Sequence, residues 1–298
     1  MIDIWKDRDF KPMLLKEIDE PFDSLEYVFE LKFDGFRALI FATNKGVYVQ
    51  SRNKQDLTKL FPELQGIKKI IPKGKKVILD GELVTFVDGK PSFRDLQTRI
   101  HIKDEKRISR VALESPIVFV CFDILYENKD LTRLELLERK KYLEKYEDNE
   151  IFVKTKMVPK EGVKLFKSVC KMGLEGIVAK NIHGFYHINA RTDDFIKIKN
   201  VQRDAFFIGG YEEKKNGILS LAIGEYSDDG EIFHYVGQVV IGKKVSIYDQ
   251  VKKAKQSKNY FSDFDEDIFY IKPVIKCYVA YLERTKRNHL RHPVFKDI

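Results

Sequence analysis

Residues 30–37 read Glu30-Leu31-Lys32-Phe33-Asp34-Gly35-Phe36-Arg37, and two apolar, strand-like runs flank the lysine, 27–31 and 36–41. In a strand, side chains two apart share a face, so Lys32 and Asp34 are expected to point the same way. Gly35 can turn the chain sharply and let a ligand's phosphates approach the backbone. Arg37 adds a planar donor fork suited to phosphate or carboxylate. The set suits a lysine that attacks a nucleotide phosphate. The plain alternative is an exposed hairpin of mixed charge, and the rest of the chain must separate the two.

Working outward, strands are expected near 27–32, 36–43, 46–51, 77–84, 117–125, 151–156, 176–180 and 195–199. Helical periodicity marks 131–146, through Leu131, Leu134, Leu137 and Leu143, and 161–172, through Val163, Phe166, Val169 and Cys170. Strands mixed irregularly with helices imply an α+β fold of antiparallel sheets with flanking helices. The character changes after residues 199–204. Runs 205–211, 218–226, 232–241 and 274–282 are separated by turn signals that include Asn216-Gly217 and Asp229-Gly230. A lysine-rich insert, 243–258, is expected to be helical. This pattern fits a small β-barrel such as an OB-fold, although an SH3-like or sandwich domain would read similarly. Two domains are therefore expected, 1–203 and 204–298.

Composition narrows the partners. The 298 residues carry 54 Lys plus Arg against 46 Asp plus Glu, a net charge of +8. Such an excess permits a polyanionic partner without requiring one. Residues 204–298 hold 15 basic and 14 acidic side chains, so the excess sits in 1–203. Three separated cysteines (Cys121, Cys170, Cys277) indicate reduced thiols in a cytosolic compartment. There is no Cys-x-x-Cys spacing, so a structural zinc is not expected. The N-terminal residues lack an apolar signal core and no 18-residue apolar stretch occurs, which points to an intracellular soluble protein.

Several downstream stretches have chemistry to offer. Ser51-Arg52-Asn53 alone reads as a solvated turn after a strand. In Leu79-Asp80-Gly81-Glu82-Leu83 the two carboxylates share one strand face and repel unless a cation or sugar hydroxyl lies between them. Phe122 reads as core, with base stacking as the sharper alternative. Glu175 stands at the mouth of an apolar strand, where carboxylates often hold Mg²⁺. Lys197 and Lys199 share the face opposite Ile196 and Ile198, an arrangement that costs energy unless an anion bridges them. Phosphate is the expected anion.

In order, Lys32-x-Asp34-Gly35-x-Arg37, Ser51-Arg52-Asn53, Asp80-Gly81-Glu82, Phe122-Asp123, Glu175-Gly176 and Lys197-x-Lys199 resemble the motifs of covalent nucleotidyltransferases. Within that superfamily the chain resembles the minimal two-domain bacterial ATP-dependent DNA ligases, including the ligase module of non-homologous end-joining enzymes. Lys11-Pro12-Met13-Leu14, Phe93-x-x-Leu96-Gln97-x-Arg99, Tyr186-x-x-x-x-Arg191-Thr192 and Leu290-Arg291-His292-Pro293-x-Phe295 carry that narrower likeness. Departures are Thr192 where relatives carry serine, and Asn189 where a glycine is common.

The resemblance implies a nucleotidyltransferase domain followed by an OB-fold that binds nicked duplex DNA. Lys32 would form lysyl-AMP, which passes to the 5′-phosphate of a nick for displacement by the 3′-hydroxyl. It assigns Glu30 and Phe122 to adenine, Arg52 and Glu82 to ribose, and Arg37, Lys197 and Lys199 to the α-phosphate. Glu175, Asp80 and Asp34 would support Mg²⁺ or Mn²⁺. DNA contacts are expected from Arg52, Lys243, Lys244, Lys252, Lys253, Arg284, Lys286, Arg287 and Arg291. It also implies a bacterial, cytoplasmic, nucleoid-associated monomer with no membrane contact, acting in repair or end joining, and an end-binding repair protein as a partner.

The sequence ends at Phe295-Lys296-Asp297-Ile298, ahead of an Arg-x-Asp-Lys motif that many relatives carry. Truncation and natural absence are the two readings of that ending; in the second, Arg284, Lys286, Arg287 or Arg291 would substitute. The alternatives of the same superfamily are an RNA ligase or an mRNA-capping guanylyltransferase. Outside enzymes, the rival is a non-catalytic nucleic-acid-binding relative.

Overall fold

A computed structural model describes residues 3–87 and 89–296. The chain divides into two compact units, Met1–Lys199 and Asn200–Ile298. In the first, α1 (Ile4–Asp7) precedes β1 (Leu14–Ile18), β2 (Ser24–Leu31), β3 (Phe36–Thr43), β4 (Gly46–Ser51) and β5 (Lys76–Val84). A two-stranded hairpin, β6 (Phe86–Val87) and β7 (Lys90–Pro91), leads into α2 (Phe93–Ile100) and α3 (Glu105–Glu114). Then follow β8 (Val118–Glu127), α4 (Leu136–Leu143), β9 (Phe152–Lys154), β10 (Val158–Lys160), α5 (Gly162–Lys171), β11 (Gly176–Asn181) and β12 (Arg191–Lys199).

These strands form two five-stranded sheets, β1-β12-β11-β2-β10 and β4-β3-β5-β8-β9. The pairings are antiparallel except at one edge of each sheet, where β1 runs parallel to β12 and β9 parallel to β8. The α+β class is borne out.

Burial explains why β3 reads as an unbroken apolar run. Ala38, Ile40 and Ala42 pack with Phe61, Leu64 and Leu96 on the outer face of their sheet. Leu39 and Phe41 point the other way, into a core shared with Val28 and Phe195 of the opposite sheet. A strand buried on both faces has no polar alternation to show. The far face of the first sheet, with Phe29, Ile177, Ile196 and Ile198, is covered by Val169, Leu165 and Phe166 of α5.

The expected helix 131–146 is shorter in the structure. Helix α4 begins only at Leu136, because Asp130 accepts from the Thr132 N–H at 2.8 Å and the Leu134 N–H donates to Leu131, forming turns. Leu131 and Leu134 reach the core from those turns, so their spacing imitates a helix. Asn189 adopts φ of 56°, the left-handed geometry expected of a residue at a glycine position.

The second unit holds β13 (Gln202–Lys214), β14 (Ile218–Tyr226), β15 (Phe233–Ile241), α6 (Tyr248–Lys253), β16 (Phe269–Tyr270), β17 (Lys276–Tyr281) and β18 (Val294–Lys296). The sheet runs β15-β14-β13-β17-β18, with β16 on β13. Asn216 and Gly217 both take positive φ, as a tight hairpin turn requires. The Leu290 N–H donates to the Val236 carbonyl at 2.7 Å, tying the segment before β18 back to β15. Among the described residues these pairings do not trace a closed barrel. The lysine-rich insert is helical only over α6, with Lys243 and Lys244 in a turn before it. Asp297 and Ile298, at the chain ending, lie outside the described residues.

Candidate active site

The residues 32–35 join the two sheets of the first unit: β2 ends at Leu31 in one and β3 starts at Phe36 in the other. Lys32 and Asp34 are therefore in a crossing, not a strand. The two-residue pleat behind the expectation of a shared face is therefore absent there. Gly35 answers to packing. A Cβ on it would lie 2.2 Å from the Leu83 carbonyl oxygen and 2.9 Å from Cγ of Glu82.

At this junction opens a cleft lined by Leu15, Glu30, Leu31, Lys32, Phe33, Arg37, Glu82, Phe122, Val178, Lys180 and Phe195. Five residues singled out from sequence (Glu30, Lys32, Arg37, Glu82, Phe122) thus share one cavity. The Lys32 N–H is anchored on the Gly176 carbonyl at 2.9 Å. Its ammonium meets both carboxylate oxygens of Glu175, at 2.7 and 2.8 Å.

Arg37 is held by Asp80 through two hydrogen bonds, of 3.0 and 2.7 Å. The Tyr186 hydroxyl donates to Asp80 at 2.6 Å and accepts from the Met13 N–H at 3.0 Å. Asp80 is wholly buried. The cation that separates Asp80 from Glu82 is therefore the chain's own Arg37. Burial pushes the Glu82 carboxyl up to about 8, against the pull of Lys32 and Arg37. Asp80, Glu175 and Asp34 do not converge: among the described residues no three His, Cys, Asp or Glu side chains are grouped to hold a metal. The reason is that Asp80 is turned toward Arg37 and Tyr186, and Glu175 toward Lys32.

Glu30 is buried between two lysines that sequence reading missed, Lys140 at 2.5 Å and Lys180 at 2.7 Å. Burial opposes its charge, but the two ammoniums hold its carboxyl below the usual range. Lys180 also donates to the Phe122 carbonyl at 3.0 Å and lies 4.5 Å from that ring's centroid. Its burial lowers it to about 8 despite Glu30. Arg37 approaches the Phe122 ring to 5.3 Å, so cations flank it. Asp123 is turned elsewhere, into a fully buried pair with Arg139 at 2.9 Å. Lys180 ends the stretch 175–180, where its alternation with Val178 was a usable signal; Lys140 lies on a helix with nothing to mark it.

Lys197 and Lys199 do share a face, and an anion does bridge them. It is Glu17, at 2.8 and 3.1 Å. Arg52 is exposed in the turn after β4 and does not line the cleft. In the second unit, Arg284 is engaged by Glu225 at 2.6 and 2.9 Å, Lys252 by Glu213 at 2.7 Å, and Arg291 by Glu283 at 3.0 Å. Lys243, Lys244, Lys253, Lys286 and Arg287 are exposed. His183 and His187 stand four apart yet turn to different carboxylates, Glu135 and Asp194, both at 2.9 Å. No helix among the described residues is long and apolar enough to cross a membrane.

A lysine lining a cleft between two facing sheets coincides with a known family. Residues 12–199 match the ATP-dependent DNA ligase domain. The chain belongs to that family. It is 30% identical to the SPbeta prophage-derived DNA ligase-like protein LigB of Bacillus subtilis, over 96% of this chain and 97% of that one. It is 28% identical to the multifunctional non-homologous end joining protein LigD of Mycolicibacterium smegmatis, over 97% of this chain but 38% of that one. The chain spans 45% of the length of the first curated relatives that it matches. In fold it is similar to a mycobacterial DNA ligase D solved with ATP and MES (TM-score 0.61, 24% identity, 98% of this chain and 96% of that one).

Proposed function

We propose that the chain is an ATP-dependent DNA ligase that seals nicks between a 3′-hydroxyl and a 5′-phosphate. The observation that carries this is Lys32, held by Glu175 at the rim of a cleft walled by Phe122 and Glu82. Lys32 attacks the α-phosphate of ATP, forming lysyl-AMP and releasing pyrophosphate. The adenylate then moves to the 5′-phosphate at the nick, and the 3′-hydroxyl displaces AMP as the strand closes.

Attack needs Lys32 neutral and turned away from Glu175. Phe122 offers a stacking face to adenine, and the Lys180–Glu30–Lys140 network sets that ring's position. Glu82 is assigned to the ribose, with Arg52 approaching from its turn. Arg37, Lys197 and Lys199 are assigned to the α-phosphate. Asp80 orients Arg37 in this reading rather than binding metal. Mg²⁺ ordinarily takes one or two carboxylates plus substrate phosphates; Glu175, once released from Lys32, and Asp34 are the carboxylates assigned to it. Bound there, it would stabilise charge on the transferring phosphoryl group.

The second unit is assigned to duplex DNA as an OB-type domain, through Lys243, Lys244, Lys253, Lys286 and Arg287, with Lys252, Arg284 and Arg291 after exchange of their carboxylate partners. The end-joining name of the LigD relative supports a repair setting; recruitment by an end-binding protein is part of the same proposal.

Intact mass after incubation with Mg²⁺ and either ATP or GTP tests the core of the proposal. The expected result is a gain of one adenylate with ATP only, absent in Lys32→Ala, together with sealing of a nicked duplex. A guanylate gain would turn the reading to a capping enzyme. No gain and no sealing would leave a nucleic-acid-binding relative.

A further inference from the structure

Glu17 stands on the edge strand β1, directly opposite Lys197 of β12 in the parallel pairing. Each of its carboxylate oxygens takes one lysine, Oε2 with Lys197 and Oε1 with Lys199. Bridging two ammoniums with one oxygen each is also how two non-bridging oxygens of a phosphate would bind them.

The register puts this pair on the cleft's own sheet face. Lys197 lies opposite Val178, and Val178 opposite Glu30, both of which line the cleft. Lys199 lies opposite Gly176, the residue whose carbonyl anchors the Lys32 N–H. The attacking lysine and the lysine pair therefore flank one strand, β11. Glu17 is 43% exposed while the two lysines are 21% and 22% exposed, so the carboxylate can rotate into solvent while the lysines stay.

We propose that Glu17 is an internal competitor for the nucleotide's phosphate, seated on Lys197 and Lys199 until the α-phosphate displaces it. A carboxylate and a phosphate cannot both occupy two ammoniums without like-charge repulsion. Glu17 thereby weakens every ligand that brings phosphate to the pair and is indifferent to the base. The identity of that ligand as ATP rests on the ligase reading; the competition itself does not.

The test is calorimetric titration of Glu17→Gln and Glu17→Ala, each in a Lys32→Ala background that blocks turnover. The probes are ATP, inorganic tripolyphosphate and adenosine. Both variants should bind ATP and tripolyphosphate more tightly than the Lys32→Ala parent, on the order of three- to ten-fold, the size expected for one half-exposed competing charge. Adenosine binding should not change. Unchanged or weaker binding of both phosphate ligands, or an equal gain for adenosine, overturns the proposal. Lack of an AMP adduct on the unmodified chain would instead count against the ligase reading, with the tripolyphosphate comparison still deciding the role of Glu17.

Discussion

The Lys32 ammonium lies 2.7 Å from one oxygen of Glu175 and 2.8 Å from the other. The pair is mostly buried, with side-chain exposures of 19% and 10%. While Glu175 holds both contacts the amine is not free to attack, so in the proposed reaction the pair opens first. Glu175→Gln retains the shape and removes the charge. It should lower nick sealing by about 10²-fold or more, the scale of losing one charge-positioning group at a reacting phosphoryl centre. Single-turnover sealing checks this, and full activity in the variant would remove Glu175 from the chemistry.

Gly35 has no room for a side chain beside Leu83 and Glu82. Gly35→Ala should destabilise the first unit by about 1–3 kcal/mol, the usual range for overpacking, and displace Lys32 with it. Denaturant unfolding combined with the adenylate mass assay reads both effects.

Asp123 and Arg139 form a pair with no exposed surface on either side chain. Removing one partner strands a buried charge. Arg139→Met should cost about 3–5 kcal/mol, while the double variant Asp123→Leu/Arg139→Met should recover most of it. Chemical denaturation of the three proteins tests that order.

Glu82 carries a carboxyl raised to about 8 by burial, above its unfolded value near 4.5. Between those values the folded state binds more protons than the unfolded one, so this residue's contribution to stability falls as pH rises from about 5 to 8. Glu82→Gln lacks that slope. The melting temperature of the variant should rise relative to the unmodified protein across the window, by on the order of a few °C. Thermal scans at several pH values check the sign.

In the proposed DNA contact, Lys243, Lys244 and Lys253 are exposed. Replacing all three by alanine should weaken duplex binding uniformly across sequences. It should also reduce the slope of log affinity against log salt by about 0.9 for each phosphate that is no longer neutralised. An unchanged slope would move the DNA surface elsewhere.

What the sequence determined was the inventory and its order. The apolar runs around Lys32 match β2 and β3, and the run at 46–51 matches β4. Local pattern suffices there because strand burial writes itself into neighbouring residues. The alternation at 195–199 likewise predicted that Lys197 and Lys199 share a face and need an anion. Tertiary structure decided which anion. Glu17 is far from the pair along the chain and reaches it only because β1 docks beside β12. The same holds for Asp80, which sequence offered as a metal ligand and the fold gave to Arg37 and Tyr186. It holds again for Glu30, enclosed by Lys140 and Lys180. A charge's partner is set by distance in space, and a buried charge takes whichever counter-charge the packing brings near, a relation that residue spacing does not encode.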